Sequence, residues 1–142
     1  MRKLILKTKI LKAVIKKILM LIGNFKIYRL YKTGNGNYYL PFFAYEDSIR
    51  NDIINGKIYQ KEVIDIAEKY ILENTAVLDL GANYGQMTIE FSKLKKNVVV
   101  YSFEAQKFIF KLLKKNIQIN NVNAKCFYNL VGNESKVVKV KK

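Results

Sequence analysis

A short apolar run that ends in a glycine turn and continues as a helical pattern constrains the fold of this chain most. Residues Ala76–Leu80 are rich in strand-forming side chains, and Gly81 and Gly85 follow them, four positions apart. From Gln86 onwards the apolar residues recur at helical spacing. A strand, a glycine turn and a helix in this order form the first half of a βαβ unit. The sequence therefore predicts an α/β fold built on a parallel sheet.

The glycine turn also predicts a ligand site. Glycine has no Cβ, so the backbone at Gly81 and Gly85 can come close to a ligand. The first amides of the following helix can bind an anionic or polar group. Asp79 adds a carboxylate at the edge where open α/β sheets bind ligands. The Gly-x-x-x-Gly spacing is not the dinucleotide fingerprint, and no Lys-Ser/Thr pair follows as in a phosphate loop, so pyrophosphate is not the predicted ligand.

A second acidic residue indicates what kind of ligand this is. The run Val98–Phe103 is typical of the next strand, and Glu104 follows it. It lies about 20 residues beyond Gly85, where βαβ nucleotide folds place an acid on ribose hydroxyls. A carboxylate has two acceptor oxygens, which suits two neighbouring hydroxyls. The two elements together predict the nucleoside-binding half of a βαβ fold.

These residues resemble a known family. The motif Asp79–Gly85 resembles the first motif of class I S-adenosylmethionine-dependent methyltransferases, and Glu104 is similar to their ribose-binding acid. The run Phe103–Gln106, with a helix that ends near Asn121, is similar to the FkbM-type methyltransferases in particular. The resemblance covers residues 59–133. It implies S-adenosyl-L-methionine as the cofactor and O-methyl transfer to a small molecule or glycan as the reaction.

The resemblance also implies roles for particular residues. Gly81 and Gly85 would admit the methionine moiety, Asp79 would orient the loop or bind the ammonium group, and Glu104 would bind the ribose. Asp79 as a cap for helix amides, and Glu104 as a charge on a helix dipole, are the structural alternatives. No residue is predicted as the catalytic base, and no metal ligand is predicted. The expected cofactor-binding residues are Asp79, Gly81, Ala82, Asn83, Gly85, Gln86, Met87, Glu104, Ala105, Asn129 and Leu130.

The expected fold class is α/β, an incomplete Rossmann-like (class I methyltransferase) three-layer fold with about three parallel strands, preceded by N-terminal helices. The family's fold needs more strands than the sequence supplies after Thr75. The chain is therefore expected to be the amino-terminal portion of a methyltransferase. An incomplete parallel sheet leaves one edge strand unpaired, and a homodimer that covers this edge is one expected consequence.

The chain divides by pattern into three segments. Residues 1–45 form a basic, aromatic segment with an amphipathic helix over 1–22, residues 46–75 a helical lead-in, and residues 76–142 the partial cofactor-binding domain. In the second lead-in helix the expected buried stripe is Val63, Ala67, Tyr70 and Ile71, while Tyr59 and Glu62 lie either near the ligand or on a plain surface. The other predicted elements are a hairpin of Ile27–Lys32 and Tyr38–Phe43, helices Glu46–Asn55, Gln60–Glu73, Gln86–Leu94 and Gln106–Asn120, and strands Ala124–Val131 and Lys136–Val140.

Charge and composition narrow the function classes. The net charge is +15, and residues 1–45 hold ten bases and no acid. Lysine supplies most of this charge and makes poorer bidentate contacts than arginine, so sequence-specific nucleic-acid binding is not expected. The absence of histidine removes the commonest metal ligand. Cys126 is the single cysteine, which fits a reducing, cytoplasmic location with peripheral membrane association left open.

Residues 1–22 allow two interpretations. Leu4, Leu11, Val14, Ile15, Ile18 and Ile22 share one face of a helix, Lys9, Lys12 and Lys16 share the opposite face, and Lys7 breaks the pattern. The segment is too short and too charged for a membrane span. It either lies on an anionic membrane surface or an acidic partner, or packs its apolar face on the rest of the protein. The tyrosines that follow either stack on single-stranded nucleic acid or belong to the core.

Three functional hypotheses remain open. The first is a methyltransferase. The second is a catalytically inactive remnant that binds the cofactor weakly or not at all. The third is a basic module for a membrane surface or nucleic acid, which depends on residues 1–45.

Overall fold

The computed structural model describes residues 27–42, 44 and 46–134, together with the isolated positions 11, 14 and 15. The predicted α/β class is confirmed, and the elements predicted between residues 27 and 134 are present with boundaries that differ by a few residues. In chain order they are β1 (Tyr28–Thr33), β2 (Gly36–Pro41), α1 (Ser48–Ile54), α2 (Lys61–Tyr70), β3 (Ala76–Leu80), α3 (Gln86–Leu94), β4 (Val99–Phe103), α4 (Lys107–Ile119) and β5 (Ala124–Phe127).

Strands β3, β4 and β5 form a parallel sheet in that order. Asp79 lies opposite Ser102, and Phe103 lies opposite Phe127. Because parallel strands end at the same edge, the residues that follow all three strands lie close together. Strand β5 ends at Phe127, not at Val131 as predicted, since its partner β4 also ends there. The predicted strand over 136–140 lies outside the described residues.

The two faces of this sheet differ. One face carries Val100 and Ser102, which are fully buried among the helices. The other face carries Leu78, Leu80 and Phe127, which are 64%, 57% and 37% exposed. Within the part of the chain that the structure describes, none of the four helices covers this second face. The expected three-layer arrangement is therefore present there only as a sheet with helices on one side.

The N-terminal hairpin is confirmed, with Gly34 and Asn35 at its tip. It packs under α4, so that Tyr38 and Leu40 are fully buried. Asn116 of α4 and Asn120, just after this helix, make hydrogen bonds to β2 of the kind that a third strand would make. The Asn116 Oδ1 accepts from the Tyr39 N–H at 2.6 Å, and the Asn120 Oδ1 accepts from the Asn37 N–H at 2.8 Å. Their side-chain amides donate to the carbonyls of the same two residues, Tyr39 and Asn37.

The helical lead-in is also present, and two residues of its predicted stripe, Ala67 and Ile71, pack in the core, but the other two do not. Ile64 is buried in α2 and Ala67 packs against the same cluster, whereas Val63 is 39% exposed and Tyr70 is 78% exposed. The apolar face runs through Ile64 and Ile71, which are seven residues apart, the spacing of two helical turns. Helix α2 contacts α3 through this face.

The predicted amphipathic helix over 1–22 lies outside the described residues, apart from Leu11, Val14 and Ile15, which are helical. Among the described residues, no helix has the length and apolar character needed to cross a membrane. Cys126 is a half-buried free thiol in β5.

Candidate functional site

The turn after β3 is bonded directly to the end of β4. The backbone N–H groups of Gly81 and Ala82 both donate to the carbonyl of Phe103, at 2.9 Å each. Gly81 has a φ of +84°, which favours glycine, and the position that a Cβ would occupy is open space. A ligand can therefore approach the backbone at Gly81 from that side.

Gly85 has a different role from Gly81. Its φ is +86°, and a Cβ there would lie 2.7 Å from the Leu113 Cδ1 and 3.4 Å from the Ile117 Cδ1. The missing side chain thus makes room for α4 and not for a cofactor. Close packing of the glycine turn against α4 needs a glycine at this position, which is a role that the spacing of the two glycines did not reveal.

Glu104 lies where the carboxyl ends of the three strands meet. Its Oε2 accepts from the Asn83 N–H at 3.1 Å, and its Oε1 accepts from the Gln106 N–H at 2.6 Å. Its own N–H donates to the Phe127 carbonyl at 3.1 Å. The side chain is 6% exposed. The structure therefore places this acid beside the glycine turn and at the N-terminus of α4, so that both interpretations of Glu104 fit its position.

Asp79 is the other buried acid of the site. Its Oδ2 accepts from the Thr88 hydroxyl at 2.5 Å, and that hydroxyl lies 2.8 Å from the Ser102 Oγ. Either of these two hydroxyls can be the donor in the second bond. Burial raises the pKa of Asp79; the bonds to Thr88 oppose this rise, and the negative charge of Glu104 adds to it. Asp79 thus bonds to a side chain of α3, and its burial favours retention of a proton.

Asn83 supplies an acceptor that has no donor. Its φ of +49° is in the left-handed region, which asparagine tolerates better than most residues. Its Oδ1 is buried and has no hydrogen-bond partner among the described residues. A buried acceptor without a partner costs about 1–3 kcal/mol. This atom belongs to the residue whose backbone N–H bonds the Glu104 carboxylate, and it is suited to a donor group of a ligand.

Gln86 and Met87 face the protein. Gln86 is buried, its Oε1 accepts from the Tyr59 N–H at 2.9 Å and its Nε2 donates to the Lys57 carbonyl at 2.8 Å. Met87 packs against the core cluster that contains Phe91. The Gln86 side chain thus attaches the loop before α2 to the start of α3. Tyr59 lies near the turn because its backbone is bonded there.

The remaining predicted residues follow β4 and β5. Ala105 is half-buried next to Glu104, Asn129 is exposed, and Leu130 is 61% exposed. All three follow strand ends at the carboxyl edge of the sheet. Their contacts with a cofactor stay predictions. Glu62 is exposed on α2.

Two anchors of the glycine turn were not found by sequence reasoning. The hydroxyl of the buried Tyr84 donates to the Asp47 Oδ2 at 2.6 Å, and the Tyr84 carbonyl accepts from the Asn116 Nδ2 at 2.8 Å. The pKa of Tyr84 is raised by burial and by its bond to Asp47. Asn116 is fully buried, one turn after Leu112 on the apolar face of α4. A polar residue at such a position was the available signal, because a buried amide needs partners.

A cluster of three or more histidine, cysteine or acidic side chains that could hold a metal does not occur among the described residues. No protein-family model and no curated protein sequence matches the chain.

Solved structures do resemble it. TYW2 from P. horikoshii in complex with MeSAdo has a TM-score of 0.53 and 18% identity, over 74% of this chain and 36% of that one. TYW2 from M. jannaschii in complex with AdoMet has a TM-score of 0.51 and 21% identity, over 72% of this chain and 43% of that one. A transferase from Pyrococcus horikoshii has a TM-score of 0.53 and 18% identity, over 74% and 37% of the two chains.

The chain thus spans 36% to 43% of the length of these three structures. At identities this low, the structural match establishes a shared fold and nothing more. The described part of the chain has a Rossmann-like α/β fold that these structures share, and Glu104 and the glycine turn lie at the carboxyl edge of its sheet.

Proposed function

We propose that this chain is the cofactor-binding part of an S-adenosylmethionine-dependent methyltransferase. The observation that supports this most is the 3.1 Å hydrogen bond from the Asn83 N–H to the Glu104 carboxylate, which joins the glycine turn to the acid of the next strand. Two of the structures that share the fold are complexes with AdoMet or MeSAdo. We propose that this chain binds the same cofactor.

The residues present fit such a cofactor. Its ribose hydroxyls and its ammonium group are donors, and the site offers acceptors. Glu104 already receives two backbone N–H groups, and a carboxylate has about four lone-pair sites, so acceptor capacity remains for hydroxyl groups. The buried Asn83 Oδ1 is a further free acceptor within the described chain. The open space at Gly81 allows the ligand to reach the backbone.

The cofactor supplies an electrophilic methyl group on a sulfonium, which passes to an acceptor nucleophile as the carbon–sulfur bond breaks and sulfur keeps the electron pair. The chain's part in this reaction is to position the donor, which lowers the barrier by making the displacement effectively unimolecular. Glu104 would orient the nucleoside beside the turn that Phe103 and Tyr84 hold in place. A hydroxyl acceptor also needs a base for its proton, and we assign that role to no residue.

For the acceptor class we retain the proposal that comes from the FkbM resemblance, a hydroxyl of a small molecule or glycan. The matched structures share only the fold with this chain and do not decide the acceptor. Transfer of a labelled methyl group to a glycan pool, compared with transfer to an RNA pool of equal concentration, tests this choice. Label in RNA alone would replace the glycan proposal with RNA methylation.

Titration calorimetry with S-adenosylmethionine tests the cofactor site. Glu104→Gln keeps the shape and one acceptor oxygen but removes the charge, so we expect binding to weaken by about 1–3 kcal/mol. The exposed Glu73→Gln is the matched control and should bind as the wild type does. Circular dichroism of each variant confirms that it is folded. Equal affinity of wild type and Glu104→Gln would contradict the proposed site.

A catalytically inactive cofactor-binding remnant is the second candidate. The observation that favours it is the exposed apolar sheet face with Leu78 and Leu80, because the described residues provide no second layer of helices to complete the fold on that side. Cofactor binding without methyl transfer to any pool would support the remnant. Turnover by the purified chain would exclude it.

A further inference from the structure

Three residues of the N-terminal segment form an exposed apolar stripe. Leu11, Val14 and Ile15 are helical, and they are 59%, 47% and 41% exposed. Positions i, i+3 and i+4 lie on the same side of a helix. About half of each side chain is thus left exposed, so that a second apolar environment could bury more of this face.

The sequence around the stripe matches a helix that lies in a membrane interface. The sequence pattern over residues 1–22 predicts Lys9, Lys12 and Lys16 on the side opposite the stripe, and residues 1–45 contain no acid. An interfacial helix combines an apolar face with a lysine-rich polar face. The lysines can reach lipid headgroups while the apolar side chains enter the acyl region.

The described residues that follow continue this pattern. Ile27 and Tyr28, at the start of the hairpin, are 42% and 40% exposed. The Lys115 Nζ lies 5.4 Å from the ring centroid of Tyr28, and the neighbouring Arg29 is exposed. Tyrosine is enriched at membrane–water interfaces, where its ring is apolar and its hydroxyl is wet. An apolar and aromatic surface bordered by cations is thus present where the chain enters β1.

The charges of the chain are also divided between segments. Residues 105–133, which include α4 and β5, carry five lysines and no acid. Residues 46–75, which include α1 and α2, carry seven acids and four bases. Lys115 joins the first group to the hairpin, since its Nζ also lies 5.1 Å from the Tyr39 ring centroid. Lysines of α4 thus lie beside the aromatic residues of the hairpin, and a lysine-rich surface attracts anionic headgroups.

We propose that this chain binds peripherally to an anionic phospholipid bilayer, with the Leu11, Val14 and Ile15 stripe inserted and the lysines on the headgroups. A bilayer fits better than a nucleic acid because a phosphate backbone offers nothing to bury an aliphatic stripe. Lysine, which predominates here, acts as a point charge and suits a diffuse anionic surface. This inference does not depend on the proposed methyl transfer.

Sedimentation of the full chain with vesicles tests the proposal. The vesicles contain phosphatidylglycerol and phosphatidylcholine, or phosphatidylcholine alone. We expect binding to the anionic vesicles that weakens in high salt. The triple variant Leu11→Gln, Val14→Gln, Ile15→Gln keeps the net charge, and its affinity should fall at least about tenfold because three buried apolar side chains are lost.

A matched triple variant with Gln at three exposed apolar positions of the lead-in controls for surface hydrophobicity; these positions are Val63, Ile66 and Leu72. It should bind vesicles as the wild type does. Equal binding of wild type and the stripe variant would overturn the proposal. So would binding to a single-stranded RNA oligonucleotide without binding to vesicles. Calorimetry with S-adenosylmethionine on the same proteins keeps the membrane result separate from the cofactor result.

Discussion

The Glu104 carboxylate accepts a hydrogen bond from the backbone N–H of Asn83, 21 positions earlier in the chain, at 3.1 Å. This contact joins the turn after β3 to the residue that follows β4. The Phe103 carbonyl, which receives the N–H groups of Gly81 and Ala82, strengthens the same junction. A charge-assisted bond of this kind is about twice as strong as a neutral one. The site is thus preorganised by the backbone around it.

Gly85→Ala should destabilise the protein by more than a change in backbone freedom explains. The new Cβ would lie 2.7 Å from the Leu113 Cδ1, and overpacking typically costs about 1–3 kcal/mol in addition to the cost of positive φ. Gly56→Ala is the matched control, because its φ is +70° and its Cβ would meet nothing within 4 Å. Urea denaturation measures both. Equal losses of unfolding free energy in the two variants would show that Leu113 of α4 leaves room for a side chain at position 85.

Asn116→Leu should loosen the hairpin and the glycine turn together. The substitution leaves the Tyr39 N–H and the Tyr84 carbonyl without their partner. Each unsatisfied buried group costs about 1–3 kcal/mol, so we expect a loss of at least about 2 kcal/mol in the free energy of unfolding. Gln118→Leu, exposed on the same helix, is the control. Hydrogen exchange at the Tyr39 amide should increase in the first variant only.

The stability of Asp79→Asn relative to the wild type should increase as the pH rises from acidic to neutral. Burial raises the pKa of Asp79 in the folded state above the ordinary value of 3.8. The folded state therefore favours the protonated acid, and the wild type loses stability as pH rises from 3.8 through the folded pKa. The amide carries no such penalty. Thermal unfolding at pH 3 to 7 should show a difference between the two proteins that grows with pH.

The exposed Glu73→Gln variant reports the general effect of the removal of one negative charge. A difference between wild type and Asp79→Asn that stays constant over this pH range would contradict the raised pKa.

Leu78→Lys tests whether a second copy of the chain covers the sheet. Within the described residues β3 pairs only with β4, and Leu78 is 64% exposed. An unpaired apolar edge strand favours association, and lysine opposes it. We expect the wild type to dimerise with increasing concentration and the variant to stay monomeric in sedimentation equilibrium. Ile66→Lys, at an exposed position of α2, is the control. A wild type that stays monomeric throughout would rule out the dimer.

The local pattern of residues was sufficient to predict the order of elements and the position of the candidate site. The strand, the glycine turn and the helix could be predicted because each depends on the periodicity of neighbouring residues. Glu104 could be placed because it directly follows the next predicted strand. Parallel pairing then brings the two strand ends to one edge. The predicted length of β5 was wrong because strand length depends on the partner strand.

Only the tertiary structure decided what each of these residues contacts. Gly85 makes room for Leu113, and Asn116 bonds the hairpin to the glycine turn, across 77 positions in the case of Tyr39. The sequence alone determined the α/β class, the acids and the basic N-terminal segment, because periodicity and charge are properties of neighbouring residues. Contacts between distant elements depend on how the helices pack on the sheet, and that packing appears in no local pattern.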